Sequence, residues 1–171
     1  MSIPVPLLTS LGICAASGAL EGVLAGRGIK QRFAELQLPP YSPPLAVWSA
    51  IAVIYYGICG VVLYRLVAGW RDDQTHHWAI ALLLTIMIIN AIWNYTFFRM
   101  KNLKVSFLIG VPYAPAAIVL VWLLFQIDVI AARVFLPYLL YLIYAGWWGY
   151  RLWRINEPPP NVLHPTRSAS G

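Results

Sequence analysis

Asn90 and Asn94 stand four residues apart in an otherwise apolar run, with Trp93 and Phe97 beside them. At about 3.6 residues per turn, Asn90, Asn94 and Phe97 share one helix face. An amide in hydrocarbon is costly unless it is hydrogen-bonded, so that face should turn into a bundle. Two chemistries fit it: a hydrogen-bond clamp between helices, or a polar contact in a ligand cavity. Tyr138, Tyr141, Ala145 and Trp148 follow at spacings of three, four and three. They form an aromatic stripe with a small residue in the middle, where a flat molecule could lie; core packing or lipid contact would use the same stripe. Trp147 must point elsewhere. Glu21 reads equally as half of a structural ion pair with Arg27 or Lys30 and as a functional acid. His76 and His77 adjoin Asp72 and Asp73. Adjacent side chains diverge on a helix, so no two-histidine metal or haem clamp is expected, and both read as solvated interface residues. Nucleophile–base pairs, phosphate loops and metal-ligand spacings are missing from the sequence, so no catalytic residue and no metal ligand is assigned.

These residues need elements to position them, and the composition says which. Hydrophobic residues make up 60% of the 171 and charged residues 11%, against about 25% charged in a soluble domain. A soluble sphere could not hide that apolar surface, so lipid must be part of the solvent, and disorder is excluded for the same reason. A spanning helix needs about 20 mainly apolar residues. Five runs qualify, at about 4–25, 45–67, 77–98, 105–126 and 131–153. The first lacks a basic leader and outruns a signal-peptide core, and the runs are continuous rather than alternating, which argues against a β-barrel. The expected fold is all-α, a five-helix integral membrane bundle over residues 1–156, with a disordered proline-rich tail at 157–171. The connector from Gly26 to Pro44 is long, and its Leu38–Pro44 stretch should be an extended cap. The other connectors are short, which favours sequential antiparallel neighbours. Pro112 and Pro115 interrupt the fourth run around Tyr113, either widening a cavity or shaping packing.

The net charge of +6 would suggest nucleic acid in a soluble protein. Here the basic residues flank apolar runs, so no nucleic-acid partner is expected. With five spans, Arg27, Lys30, Arg32, Arg99, Lys101, Lys104, Arg151, Arg154 and Arg167 fall on one side, and only Arg65, Arg71 and Arg133 on the other. The first connector and the C-terminus should therefore face the cytoplasm. Cys14 and Cys59 both sit in apolar runs, which fits neither a disulfide framework nor a zinc site. Gly18, Gly22 and Gly26 repeat at four-residue intervals, as close helix contact within one chain or across a dimer would require. Trp48, Trp70, Trp78 and Trp153 fall near span ends, where an interfacial belt accounts for them.

In order along the chain, these motifs resemble the translocator protein / tryptophan-rich sensory protein (TspO/MBR) family. Pro39 to Pro44 is similar to the family's proline–aromatic–Pro-Pro entry into the second helix, and Tyr56 and Tyr64-Arg65 to that helix's aromatic and basic end. Asn90-Ala91-Ile92-Trp93 with Phe97-Phe98 resembles the family's Asn-x-x-Trp-x-x-x-Phe-Phe. Trp122 with Phe125 to Asp128 resembles the close of the fourth helix. Pro137-Tyr138-Leu139 and Arg154-Ile155-Asn156 resemble the two ends of the fifth.

The resemblance implies a five-helix bundle, often a homodimer, with a cavity opening toward the first connector. It implies binding of porphyrin- or haem-type tetrapyrroles, and in some members cholesterol or synthetic aromatic ligands, in sensing, scavenging or carrying. No cofactor is required; porphyrin or haem is the candidate ligand. The positions matching the family's ligand-lining pattern are Tyr41, Asn90, Trp93, Tyr141 and Ala145, to which Trp48, Ala52 and Trp148 are added as candidate ligand-binding residues. Ala52 stands where the family carries a second-helix tryptophan, with Trp48 one turn earlier as its substitute. Tyr95 replaces a proline, Gly149 an asparagine, and Pro112 and Pro115 are additional. These departures bear on ligand identity more than on fold. A membrane scaffold with a degenerate pocket is the alternative function. Light-dependent porphyrin degradation is the one enzymatic reading.

Overall fold

The computed structural model describes residues 4–157. Apart from Glu157, the proline-rich tail therefore lies outside the described residues. Among the described residues every regular element is helical. Long apolar runs leave no other way to satisfy backbone groups in lipid than helices bonded within themselves. Helix α1 covers Val5–Ala25, α2 Ile29–Glu35, α3 Leu45–Ala68 and α4 Gln74–Asn94, which continues into one wide π turn at Tyr95–Arg99. Then come α5 at Leu103–Gly110, α6 at Tyr113–Ile127 and α7 at Val129–Ile155. Five helical stretches are long and apolar enough to cross a membrane: α1, α3, α4 with its π turn, α5 with α6, and α7. The chain is an integral, multi-pass membrane protein in contact with the lipid bilayer.

Local chemistry fixes the ends. Pro4 and Pro44 precede α1 and α3, where a missing N–H costs nothing. Asp73 caps α4 by accepting from the His76 N–H at 2.8 Å, and Asn102 caps α5 through the Val105 N–H at 3.0 Å. Asp128 separates α6 from α7, accepting from the Ile130 and Ala131 N–H groups at 2.9 and 3.1 Å and binding Arg65 Nε at 2.7 Å. The fourth span breaks between Gly110 and Tyr113 because Pro112 and Pro115 offer no N–H to the carbonyls of Leu108 and Val111.

Two expectations need correction. The first connector holds a helix, α2, that was not foreseen. His76 is not a solvated residue: it is fully buried, with Nε2 2.7 Å from the Leu66 carbonyl in the last turn of α3. Its neighbour His77 is exposed.

Packing divides the bundle lengthwise. Cys59, Val62, Leu63 and Leu66 of α3 meet Leu83, Ile86 and Met87 of α4, Ala117, Leu120 and Leu124 of α6, and Ala131, Ala132 and Phe135 of α7. Because successive spans run antiparallel, these residues occupy one end of the bundle, the end away from the first connector. That half is solid. The other half carries fewer large aliphatic residues and more rings, and there the packing opens.

The first connector closes the open end. Arg32 is buried and donates to the Phe97 carbonyl at 3.3 Å and the Lys101 carbonyl at 3.1 Å, both left over where α4 ends. Asn156, past the end of α7, grips Gln37 twice, accepting from its N–H at 3.0 Å and donating to its carbonyl at 2.9 Å. Trp148 Nε1 donates to Ser42 Oγ at 2.8 Å, and Tyr144 Oη to the Tyr41 carbonyl at 3.1 Å. The proline stretch is thus a strap tied down along its length, but it is not extended throughout: it turns at Pro40–Tyr41, where the Ser42 N–H donates to the Pro39 carbonyl at 3.3 Å.

Candidate functional site

Beneath the strap lie two adjoining hollows. The larger, of about 400 Å³, sits where the α5–α6 break faces α7, and its wall includes Phe107, Gly110, Tyr113, Ala145 and Gly146. The smaller, of about 210 Å³, sits between α1, α3 and α4 under the α2 segment, and its wall includes Glu21, Ile29, Phe33, Ala52 and Asn94. Trp48, Asn90, Trp93, Tyr138, Tyr141 and Trp148 line both, so the hollows are two lobes of one chamber divided by rings. Sites for drug-sized ligands run roughly 300–1,000 Å³ with mostly apolar walls and a few placed polar groups.

The rings pack on one another. Trp48 meets Trp148 with centroids 4.7 Å apart, Trp93 stacks on Phe97 at 4.8 Å, and Tyr138 on Tyr141 at 5.7 Å. Trp48 is therefore half-buried in the chamber wall rather than an interfacial belt residue. Behind the larger lobe three phenols meet: Tyr113 Oη lies 2.8 Å from Tyr138 Oη and donates to Tyr55 Oη at 3.4 Å.

Glu21 is the polar centre of the smaller lobe. Its Oε2 accepts from Tyr56 Oη at 2.6 Å and from Asn90 Nδ2 at 2.8 Å, and its Oε1 accepts from Asn94 Nδ2 at 2.9 Å. Of the two readings of Glu21, the ion pair with Arg27 or Lys30 does not form; none of the ion pairs among the described residues includes Glu21. Asn90 and Asn94 act as an interhelical clamp, and Asn90 also faces both lobes, so the two readings of that pair coexist.

Of the eight candidate residues, the structure gathers seven around the chamber: Trp48, Asn90, Trp93, Tyr141 and Trp148 between the lobes, Ala52 in the smaller and Ala145 in the larger. Tyr41 is not brought there. The residue is 89% exposed and its backbone sits at φ 62°, so it contributes its carbonyl to the strap rather than a side chain to the wall. Sequence reasoning did not place Tyr55 or Tyr113 at the chamber. A hydroxyl ringed by apolar residues was the available signal.

The basic residues collect at the strap end. Lys101 Nζ holds Glu35 at 2.8 Å, and this hydrogen bond keeps the Glu35 carboxyl below its ordinary range. Arg32 is spent on backbone carbonyls, which leaves Arg27 and Lys30 as the exposed cations of the connector. No group of three His, Cys, Asp or Glu side chains lies close enough to hold a metal ion among the described residues. The chamber walls carry no His, Cys or Met.

A Cβ added at Gly18 would lie 3.6 Å from the Tyr56 ring, a neighbour within the chain, whereas one at Gly22 would meet nothing within 4 Å.

Comparison with known proteins agrees with the architecture. The model of the TspO/MBR family matches residues 10–154. The chain is also similar to the tryptophan-rich protein TspO of Archaeoglobus fulgidus, 21% identical over 152 residues that cover 88% of this chain and 96% of that protein.

Proposed function

The chain belongs to the TspO/MBR family, and on that premise we propose that it binds a flat hydrophobic ligand, a porphyrin- or haem-type tetrapyrrole, as a membrane sensor, scavenger or carrier. The observation that carries this reading is the two-lobed chamber walled by Trp48, Trp93, Tyr141 and Trp148. Offset rings at these separations present faces on which an aromatic macrocycle stacks, and Asn90 supplies a polar contact on the chamber wall. The propionates of such a ligand belong at the strap end, near the exposed Arg27 and Lys30, because the one charged side chain on the chamber wall, Glu21, would repel them. Arg32, committed to Phe97 and Lys101, is not available for that role. An open chamber supports this reading over that of a scaffold with a collapsed pocket. By the charge segregation, the strap end faces the cytoplasm.

The test is a titration of purified protein with protoporphyrin, followed by quenching of tryptophan fluorescence. Saturable quenching is expected, weakened about tenfold or more by Trp93→Ala and by Tyr141→Ala, since one lost stacking contact and its buried area amount to about 1.4 kcal/mol or more. Quenching that never saturates, or that both variants leave unchanged, overturns the reading.

A further inference from the structure

Glu21 is held more elaborately than a helix clamp needs. Tyr56 from α3 and Asn90 and Asn94 from α4 all aim donors at one carboxylate of α1. Each donor is neutral, so they orient the charge without balancing it. A carboxylate has about four lone-pair positions. Three are occupied, and the open one is on Oε1, which has a single partner.

None of the ion pairs among the described residues includes Glu21, and the cations nearest the chamber's closing segments have other partners. Arg32 binds the carbonyls of Phe97 and Lys101. Lys101 binds Glu35, and Arg65 binds Asp128 at the opposite end of the bundle. Arg99 lies beside Gly26, where its Nε would be 3.2 Å from an added Cβ. Ionisable residues within membrane spans are costly and face a partner or a cavity. For Glu21 the structure supplies the cavity: it lines the smaller lobe together with Trp48, Trp93, Phe98 and Tyr141. An oriented carboxylate among aromatic faces is the arrangement that binds an organic cation, by charge on one side and by ring quadrupoles on the others.

We infer that the smaller lobe is a site for a hydrophobic organic cation, an ammonium or protonated nitrogen borne on an aromatic or aliphatic body, with Glu21 as its counter-charge. The inference rests on the chamber being a ligand site, as proposed above, but not on that ligand being a tetrapyrrole. It makes the chamber asymmetric: the lobe against α5–α6 takes apolar rings, and the lobe against α1 takes positive charge.

The test compares two probes of nearly equal shape, 1-pyrenemethylammonium and neutral 1-pyrenemethanol. Each is titrated into the full chain in non-ionic detergent at pH 7 and corrected for partition into protein-free micelles. The ammonium should bind at least tenfold more tightly than the alcohol. Glu21→Gln, which removes the charge at nearly constant shape, should bring the ratio of the two affinities close to one. Equal binding of the two probes to the unmodified chain overturns the inference without any substitution, so a poorly folding variant does not shelter it. A Glu21→Gln variant that weakens both probes alike shows a purely structural clamp and overturns it too. If protoporphyrin and the alcohol bind but the ammonium has no advantage, the cation site fails and the chamber stands. If none of the three binds, both fail.

Discussion

Asn94 sits one turn beyond Asn90, and the pair's inward direction was legible from spacing alone. What the spacing could not supply was the acceptor. Glu21 lies 69 and 73 residues away in sequence, and only the packing of α1 against α4 brings it there. From the sequence, a lone glutamate near basic residues reads as an ion pair, because charge attraction is the strongest local rule available. Three neutral donors, each placed by a helix, take precedence over it here. His76 was misread for the same reason: its polar neighbours are visible, whereas the Leu66 carbonyl that buries it is a tertiary partner. The Tyr56 hydroxyl, 2.6 Å from Glu21 Oε2, is the shortest of the three bonds. Tyr56→Phe removes it with little change of shape and should destabilise the protein by about 1.5–3 kcal/mol, the range for hydrogen bonds to charged groups. Thr85→Val is the control, because the Thr85 hydroxyl bonds only within its own helix, to the Ala81 carbonyl at 2.7 Å. Thermal unfolding in one detergent checks both, and an equal change in the two variants would show that the Glu21 hub adds nothing of its own.

Elements were legible where apolar length or a capping residue announces them. The five spans come from run lengths, and their observed ends lie within about three residues of the expected ones, as fraying and assignment allow. Helix α2 was not legible, because seven residues are too few to hold a helix alone. It persists because Arg32 ties it to the carbonyls at the end of α4. The π turn at Tyr95–Arg99 was also silent in the sequence; in it the Met100 N–H reaches back five residues to the Tyr95 carbonyl at 3.1 Å, and the Phe97 carbonyl within it accepts from Arg32. Two carboxylates outside the spans make element ends sensitive to acid. Partial burial opposes ionisation of Asp128, but Arg65 and the N–H groups of Ala131 and Ile130 outweigh it and hold the carboxyl below its usual range. Glu35 is lowered chiefly by the Lys101 hydrogen bond. A carboxyl whose pKa is lower folded than unfolded stabilises the folded state fully above its ordinary pKa, and that share is lost as pH falls through the lowered value. Unfolding temperature should therefore be level from neutral pH down to about 5 and decline below the ordinary carboxylate range of about 4. Asp128→Asn, which keeps an acceptor for the cap but not the charge, should flatten part of that decline. A profile identical to the unsubstituted protein's would assign the acid sensitivity to other groups.

The molecule as a whole is a bundle with one solid end and one hollow end, and its charges follow the same division. Arg27, Lys30, Arg32, Arg99, Lys101, Lys104, Arg151 and Arg154 all belong to the segments that close the hollow end. Lys104 and Arg154 both lie over the Trp153 ring, each 5.9 Å from its centre. The solid end carries Arg65 and Arg71 opposite Asp128 and Asp73, with Arg133 one turn into α7. An odd number of spans is what permits this sorting, since an even number would put both termini on one face and mix the two sets of connectors. The proposed orientation, with the positive connectors on the cytoplasmic side, would set the side from which a ligand with anionic arms reaches Arg27 and Lys30. With Cys14 and Cys59 replaced by alanine, single cysteines at Lys30 and at Asp72 should react with a membrane-impermeant maleimide from opposite faces, Lys30 from the cytoplasmic one. Reaction of both from one face would break the five-span count. Reaction of Lys30 from the outer face alone would keep the count but invert the chamber, turning its strap and its exposed cations away from the cytoplasm.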